Sequence, residues 1–396
     1  MKKYFYPLIE NPYRKKDINR AVKTLRSCKI TSGKETIEFQ KKFSKKIKSN
    51  YSLFVNSGSS ANLLAFQCLI NPYRGKRLKP GDEVLIPSLC WSTSLWPIIQ
   101  SNLKPIFVDV DVSTLNINIK DLEKKINKRT KAIMLVHVLG NCTNMDDLLR
   151  IKNKHKLLLV EDTCESLGSK FKNKYLGTFG EFSSFSFYSS HQISSGEGGM
   201  ICCKKAEDFE ILKALRAHGW SRGLKNEKKI AKENRSLDKR FIFYNSGFNL
   251  RSTDISASIG LSQFNDLDLF IKNRSNNRKK IVNSIYKKEK LKKTIFIMNE
   301  NKHVKASWFG IPVILSSKIN REKFINKLEN NGVETRPIIS GNFLKQPSVK
   351  KYKLNINISL KNSDYINKYG FFIGLPTEKI SQKKIDKLVS ALEKSI

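Results

Sequence analysis

Between Tyr51 and Cys203 the chain alternates two hydrophobic rhythms. Seven apolar runs, YSLFV, EVLIP, KPIFVDV, AIMLVHVLG, LLLVED, SSFSFY and GMICC, are five to nine residues long. Runs of that length, apolar on both faces, read as strands buried inside a parallel sheet. The intervening segments, such as 61–70 and 119–126, carry helical spacing. Strands alternating with helices predict an α/β fold whose mostly parallel sheet is covered on both sides. Functional groups would gather at the carboxyl ends of the strands.

After Arg251 the pattern changes. Ser252, Thr253 and Asp254 offer capping side chains ahead of one long helical stretch, ISASIGLSQFNDLDLFIKNRSNNRKKIVNSI. A strand over 308–315, a helix over 321–331, a short strand over 335–339 and a closing amphipathic helix follow. In that last helix Ile385, Leu388, Val389 and Leu392 mark one face. The predicted organisation has three parts. Helices and an arm occupy 1–45, a large α/β domain 46–269, and a small C-terminal α+β domain 270–396.

Composition narrows the class. The 396 residues hold 74 Lys plus Arg against 35 Asp plus Glu, a formal charge of +39, and 39% are hydrophobic, which excludes wholesale disorder. No apolar run nears the roughly 20 residues that span a bilayer. The opening MKKYFYPLIENPYRKK lacks a sustained hydrophobic region, so the expectation is a cytoplasmic protein with no membrane partner. Lysines are scattered among Asn and Ile, with no zinc finger, RNP-like motif or basic heptad helix. That argues against specific nucleic-acid binding and for attraction of a diphosphate-bearing small substrate. Seven cysteines, at 28, 68, 90, 142, 164, 202 and 203, include no C-x-x-C pair. They read as free, mostly buried thiols, and no metal site is expected.

Four stretches at strand ends carry candidate chemistry. Asn56-Ser57-Gly58-Ser59-Ser60-Ala61-Asn62 follows the first strand and opens a helix, so free amides and hydroxyls there suit a phosphate. An ordinary capped turn would look the same. Cys90-Trp91-Ser92-Thr93 places an indole where it could stack on a planar ring. Glu161-Asp162-Thr163-Cys164-Glu165 follows LLLV, and a carboxylate at the end of a buried strand needs a cation or donors. Ser183 to Met200 sets hydroxyls and His191 between two strands, ahead of the turn Gly196-Glu197-Gly198-Gly199, whose glycines permit a tight return.

Taken together, NSGSSAN, CWST, EDTCES and SFSFY…GEGGM resemble the DegT/DnrJ/EryC1/StrS sugar aminotransferase and dehydratase family of fold-type I pyridoxal-phosphate enzymes. RAHGWSRGL, GFNLRSTDISASIG, SWFG and GVETRPIISGNF extend the resemblance across nearly the whole chain. The family implies an aspartate aminotransferase-like fold and a homodimer with shared active sites. Most relatives carry the Schiff-base lysine where this chain has His191, and no lysine lies between Tyr175 and Lys204. A histidine subgroup removes the C3 hydroxyl of nucleotide sugars. One branch of it uses a cysteine-ligated iron–sulfur cluster, but residues 204–246 contain no cysteine, so the cluster-free branch matches better.

The resemblance implies pyridoxal or pyridoxamine phosphate held without a covalent anchor. Ser59, Ser60 and Ser186 would hold its phosphate, Asp162 its pyridine nitrogen, and Trp91 its ring face. Glu165 would lie near its 3-hydroxyl, and His191 would be the acid/base. L-Glutamate would supply the amine, and a nucleotide-linked 4-keto-6-deoxy sugar, GDP-4-keto-6-deoxy-D-mannose foremost, would lose its C3 oxygen on the way to a surface-polysaccharide dideoxysugar. An imidazole of ordinary pKa, about 6.5, suits such work near neutrality. His218, Arg222, Arg251 and Glu334 are candidate substrate contacts. Asn249 is expected to reach the cofactor phosphate across the dimer. His137, His155 and His303 have no supporting pattern. The alternatives are a nucleotide-sugar aminotransferase using another amine, and a non-catalytic relative that binds a nucleotide sugar or polyanion.

Overall fold

The computed structural model describes residues 4–10, 12–354 and 358–396. Seven strands build the main sheet: β1 (Tyr51–Val55), β2 (Glu83–Pro87), β3 (Lys104–Val108), β4 (Thr130–Val136), β5 (Leu158–Asp162), β6 (Phe182–Ser186) and β7 (Gly199–Cys203). Their order is β1-β7-β6-β5-β4-β2-β3, with β7 antiparallel to both neighbours and the other pairs parallel. Each strand overlaps one of the apolar runs, although AIMLVHVLG, SSFSFY and KPIFVDV extend past the ends of β4, β6 and β3. The fold is an aspartate aminotransferase-like α/β sandwich.

Helices between the strands start where side chains cap them. Ser57, Asn118 and Asn144 each accept a hydrogen bond from an amide of the first turn. The single long helix expected after Arg251 is two, Asp254–Phe264 and Leu267–Tyr286. The break falls at Asp266, whose carboxylate binds Arg14 at 2.8 Å and also Lys16. Thr253 caps the first of the pair. Asp254 instead caps a different helix, Lys34–Ile47, taking the amides of Gly33 (2.7 Å), Glu35 (3.1 Å) and Thr36 (3.0 Å).

A second, antiparallel sheet joins Ile295–Ile297, Ile311–Leu315, Gly370–Ile373 and Thr335–Arg336, in that order. The strand expected over 308–315 therefore begins only at Ile311. Helix Leu267–Tyr286 runs unbroken across the expected boundary at 269/270. Buried Arg274 clamps the junction, donating to the carbonyls of Phe309 (2.9 Å) and Leu375 (3.0 Å). The N-terminal arm closes the small domain, with Tyr6 donating to the Gly374 carbonyl at 3.0 Å. No helix among the described residues is long and apolar enough to cross a membrane.

Candidate active site

Asp162 ends β5 at the carboxyl edge of the sheet and is 5% exposed. Its Oδ2 accepts from Asn62 Nδ2 (2.9 Å) and Ser94 Oγ (2.7 Å), and its Oδ1 from the Cys164 amide (3.1 Å) and Ser184 Oγ (3.4 Å). All four donors are neutral. A buried carboxylate without a cation is costly, so this arrangement is built to receive a positively charged N–H. Its neighbour Glu161 points elsewhere, to His137 (2.9 Å) and to the amides of Gly177, Phe179 and Gly180. His137 and Glu161 thus pin a turn. His155 follows helix Met145–Lys154, and His303 sits edge-on to Phe171, both outside this group.

Beside Asp162, helix Gly58–Leu69 presents its N-terminus. Ser57 Oγ accepts the Ser60 amide at 3.1 Å and donates to Ser60 Oγ at 3.0 Å, while Ser59 Oγ lies 2.8 Å from Thr93 Oγ1. First-turn amides and these hydroxyls form an anion cradle. Gly58 makes the cradle possible. A β-carbon there would lie 2.7 Å from both Ser186 Cβ and Cys164 Sγ, so only glycine lets the helix end press against Ser186. Ser186 itself pairs in register with Gly199 of the return strand. Trp91, at the N-cap of helix Ser92–Gln100, leaves a large aromatic face open, with 57% of its surface exposed.

His191 is half-buried, edge-on to Phe309 at 5.2 Å, with Ser190 Oγ 3.3 Å from Nδ1. Burial holds its pKa down to about 4, the Asp162 carboxylate working against this and Arg274 adding to it. The expectation of an ordinary imidazole pKa is therefore corrected: at neutrality His191 is a neutral base. Glu165 is displaced the other way. Burial pushes its carboxyl up to about 7, the Leu139 amide opposing at 2.9 Å and Asp162 reinforcing. Gln192 locks the two together, its Nε2 donating to the carbonyls of Glu165 (2.5 Å) and Ser307 (3.0 Å).

The remaining candidates lie apart. His218, Asn249 and Arg251 form a chain, with Arg251 3.2 Å from both Asn249 Oδ1 and His218 Nε2. Arg222 and Arg251 both lie over the Trp220 ring, at 5.1 and 5.5 Å. This group is tied to the end of β1 by the Asn56 amide and Leu250 carbonyl, 3.0 Å apart, and its Arg222, Asn249 and Arg251 are exposed. Glu334 belongs to neither group. Its carboxylate takes the Leu8 amide (3.0 Å) and Arg336 (3.1 Å), fastening the N-terminal arm. Sequence reasoning assigned no role to Asn62, Ser94, Ser184, Gln192 or Arg274, although Asn62 stood inside the first motif.

Residues 12–393 match the model of the DegT/DnrJ/EryC1/StrS aminotransferase family. The chain is 36% identical over 374 residues to the GDP-4-keto-6-deoxy-D-mannose 3-dehydratase of Escherichia coli O55:H7, covering 93% of this chain and 95% of that one. The same-named enzyme of Yersinia pseudotuberculosis is also 36% identical, over 93% of each chain. The solved E. coli dehydratase with bound hydrated PLP superposes with a TM-score of 0.91 at 34% identity, covering 98% of this chain and all of the other. A further structure of that dehydratase, with a trapped PLP–glutamate geminal diamine, has a TM-score of 0.90 at the same identity and coverage. With the family model matched over residues 12–393 and relatives 36% identical over 93% of its length, the chain belongs to the DegT/DnrJ/EryC1/StrS aminotransferase family.

Proposed function

We propose that this protein is a pyridoxal/pyridoxamine-phosphate-dependent nucleotide-sugar 3-dehydratase. Its substrate is GDP-4-keto-6-deoxy-D-mannose, its amino donor L-glutamate, and its product a precursor of a surface-polysaccharide dideoxysugar. One observation carries the reading: a histidine, His191, feels the charge of a buried carboxylate, Asp162, that only neutral donors hold.

The residues present fit the cofactor. Asp162 would keep the pyridine nitrogen protonated, relieving its own uncompensated burial. The helix end at Gly58, with Ser59, Ser60 and Ser186, would hold the phosphate, and Trp91 would cover the ring. When bound, the cofactor supplies an electron sink and an exchangeable amine. His191, neutral at pH 7, accepts a proton at one ring nitrogen and returns it, so it can serve as base and then acid. Glu165, whose carboxyl burial raises to about 7, is protonated in part at neutrality and in that form offers a hydroxyl donor. The histidine at position 191 supports a cofactor held by these contacts without a covalent anchor, and the lack of cysteines in 204–246 supports chemistry without an iron–sulfur cluster.

His218, Arg222, Asn249 and Arg251 are exposed or part-exposed and mutually braced, which supports their reaching the phosphate or nucleotide in the site of a partner subunit. The reading makes the protein a cytoplasmic homodimer. It is tested by incubating the protein with pyridoxal phosphate, glutamate and GDP-4-keto-6-deoxymannose, then weighing the product. A sugar lacking one oxygen, with matching 2-oxoglutarate and ammonia, is expected. A 4-amino sugar would make it an aminotransferase, and a colourless, inert protein would make it a binding relative.

A further inference from the structure

His191, Ser190, Gln192 and Arg274 line a polar, partly open cavity of about 40 Å³, flanked by the N-terminal arm and residues 375–378. Two buried atoms on these residues find no partner within the protein: Nη1 of Arg274 and Oε1 of Gln192. The first can only donate and the second can only accept. Neither side chain is free to turn away. Arg274, 4% exposed, has its Nε and Nη2 bound to carbonyls at 3.0 and 2.9 Å. Gln192, 1% exposed, has its Nε2 bound to two carbonyls, which fixes the orientation of the amide. Water both donates and accepts, and the volume admits a few molecules.

We propose that the cavity holds an ordered water bridging Arg274 Nη1 and Gln192 Oε1, and that this water connects His191, through Ser190, to solvent. Arg274 and Gln192 are then positioning residues for proton movement at the histidine. Ser190 Oγ lies 3.3 Å from His191 Nδ1 and on the same cavity wall, so it is the link. When Nε2 takes a proton from carbon, the pair of electrons stays with the carbon's conjugated system. The Nδ1 proton passes to Ser190 Oγ, the hydroxyl hydrogen passes to the water, and the water gives up one of its own protons to solvent. The reverse order restores it, with no oxidant or reductant. Phe309 packs edge-on against the ring at 5.2 Å.

This inference rests on His191 being the acid/base of the proposed reaction, and the tests separate the two. A crystal structure of the cofactor-free chain should show water within hydrogen-bond distance of both orphan atoms. Dry density there, or bromide displacing it after a soak, would overturn the proposal. In the cofactor-free chain with ¹⁵N-histidine, the His191 ring N–H signal should be broadened by exchange with water. It should sharpen in Ser190→Ala and in Gln192→Met, with exchange at least tenfold slower and an unchanged melting midpoint in at least one of them. Unchanged exchange in both would refute the route. With pyridoxal phosphate and [2-²H]glutamate, pyridoxamine phosphate should carry little deuterium in the wild type and several-fold more in Ser190→Ala. Equal retention in both sinks the water route alone. Failure of the wild type to form any pyridoxamine phosphate sinks His191 as the base, and the inference with it.

Discussion

Two groups of the site are displaced in opposite directions, so their contributions to the pH dependence of stability oppose one another. Glu165 has its pKa raised from 4.5 to about 7. Its native state holds the proton more tightly, so its contribution is complete below about pH 4.5 and is lost as pH climbs to 7. His191 has its pKa lowered from 6.5 to about 4, so its contribution is complete above 6.5 and is lost as pH falls toward 4. Between about pH 4.5 and 6.5 the slopes oppose, each about 1.4 kcal/mol per pH unit. Removing one unmasks the other. From about pH 5 to 6.5, Glu165→Gln should gain up to about 2 kcal/mol of stability relative to the wild type, and His191→Asn should lose as much. Urea-unfolding midpoints of the cofactor-free chain at the two pH values measure this. If both variants run parallel to the wild type across the window, the reasoning that burial governs these groups is refuted.

Three further outcomes are expected. Asp162→Asn should weaken pyridoxal phosphate binding by about 1.5–3 kcal/mol, the worth of a charge-assisted hydrogen bond, as read by an absorbance titration; unchanged affinity would remove Asp162 from the cofactor site. His191→Asn should lower sugar dehydration by roughly 10²–10⁴ while the cofactor still binds, so near-normal turnover would exclude it as the acid/base. Gly58→Ala, whose methyl would sit 2.7 Å from Ser186 and Cys164, should cost about 1–3 kcal/mol by overpacking and weaken cofactor binding as well. A variant with unchanged melting temperature and cofactor affinity would contradict the close approach.

The main sheet was legible because strands buried on both faces are rich in apolar residues and recur here as short runs separated by helical segments. Gly370–Ile373 escaped notice. It is short, opens on glycine, and gains its identity only by lying between Ile311–Leu315 and Thr335–Arg336. The split of the long helix was equally hidden, since Asn265-Asp266 contains neither glycine nor proline. The partner that marks the break, Arg14, is 252 residues away along the chain. The site divides along the same line. Asp162, His191 and the serines stood out because a charged or nucleophilic group at a strand end has few uses. Asn62, Ser94 and Ser184 did not, because a neutral hydrogen-bonding residue near a helix start reads as a cap. Yet those three determine how Asp162 differs from Glu161 one residue earlier. Glu161 meets His137 and three amides and is satisfied within the protein. Asp162 meets neutral donors from two helix starts and an adjacent strand, and its charge is left for a ligand to balance. Identical chemistry in adjacent positions thus acquires opposite roles from the packing of remote segments.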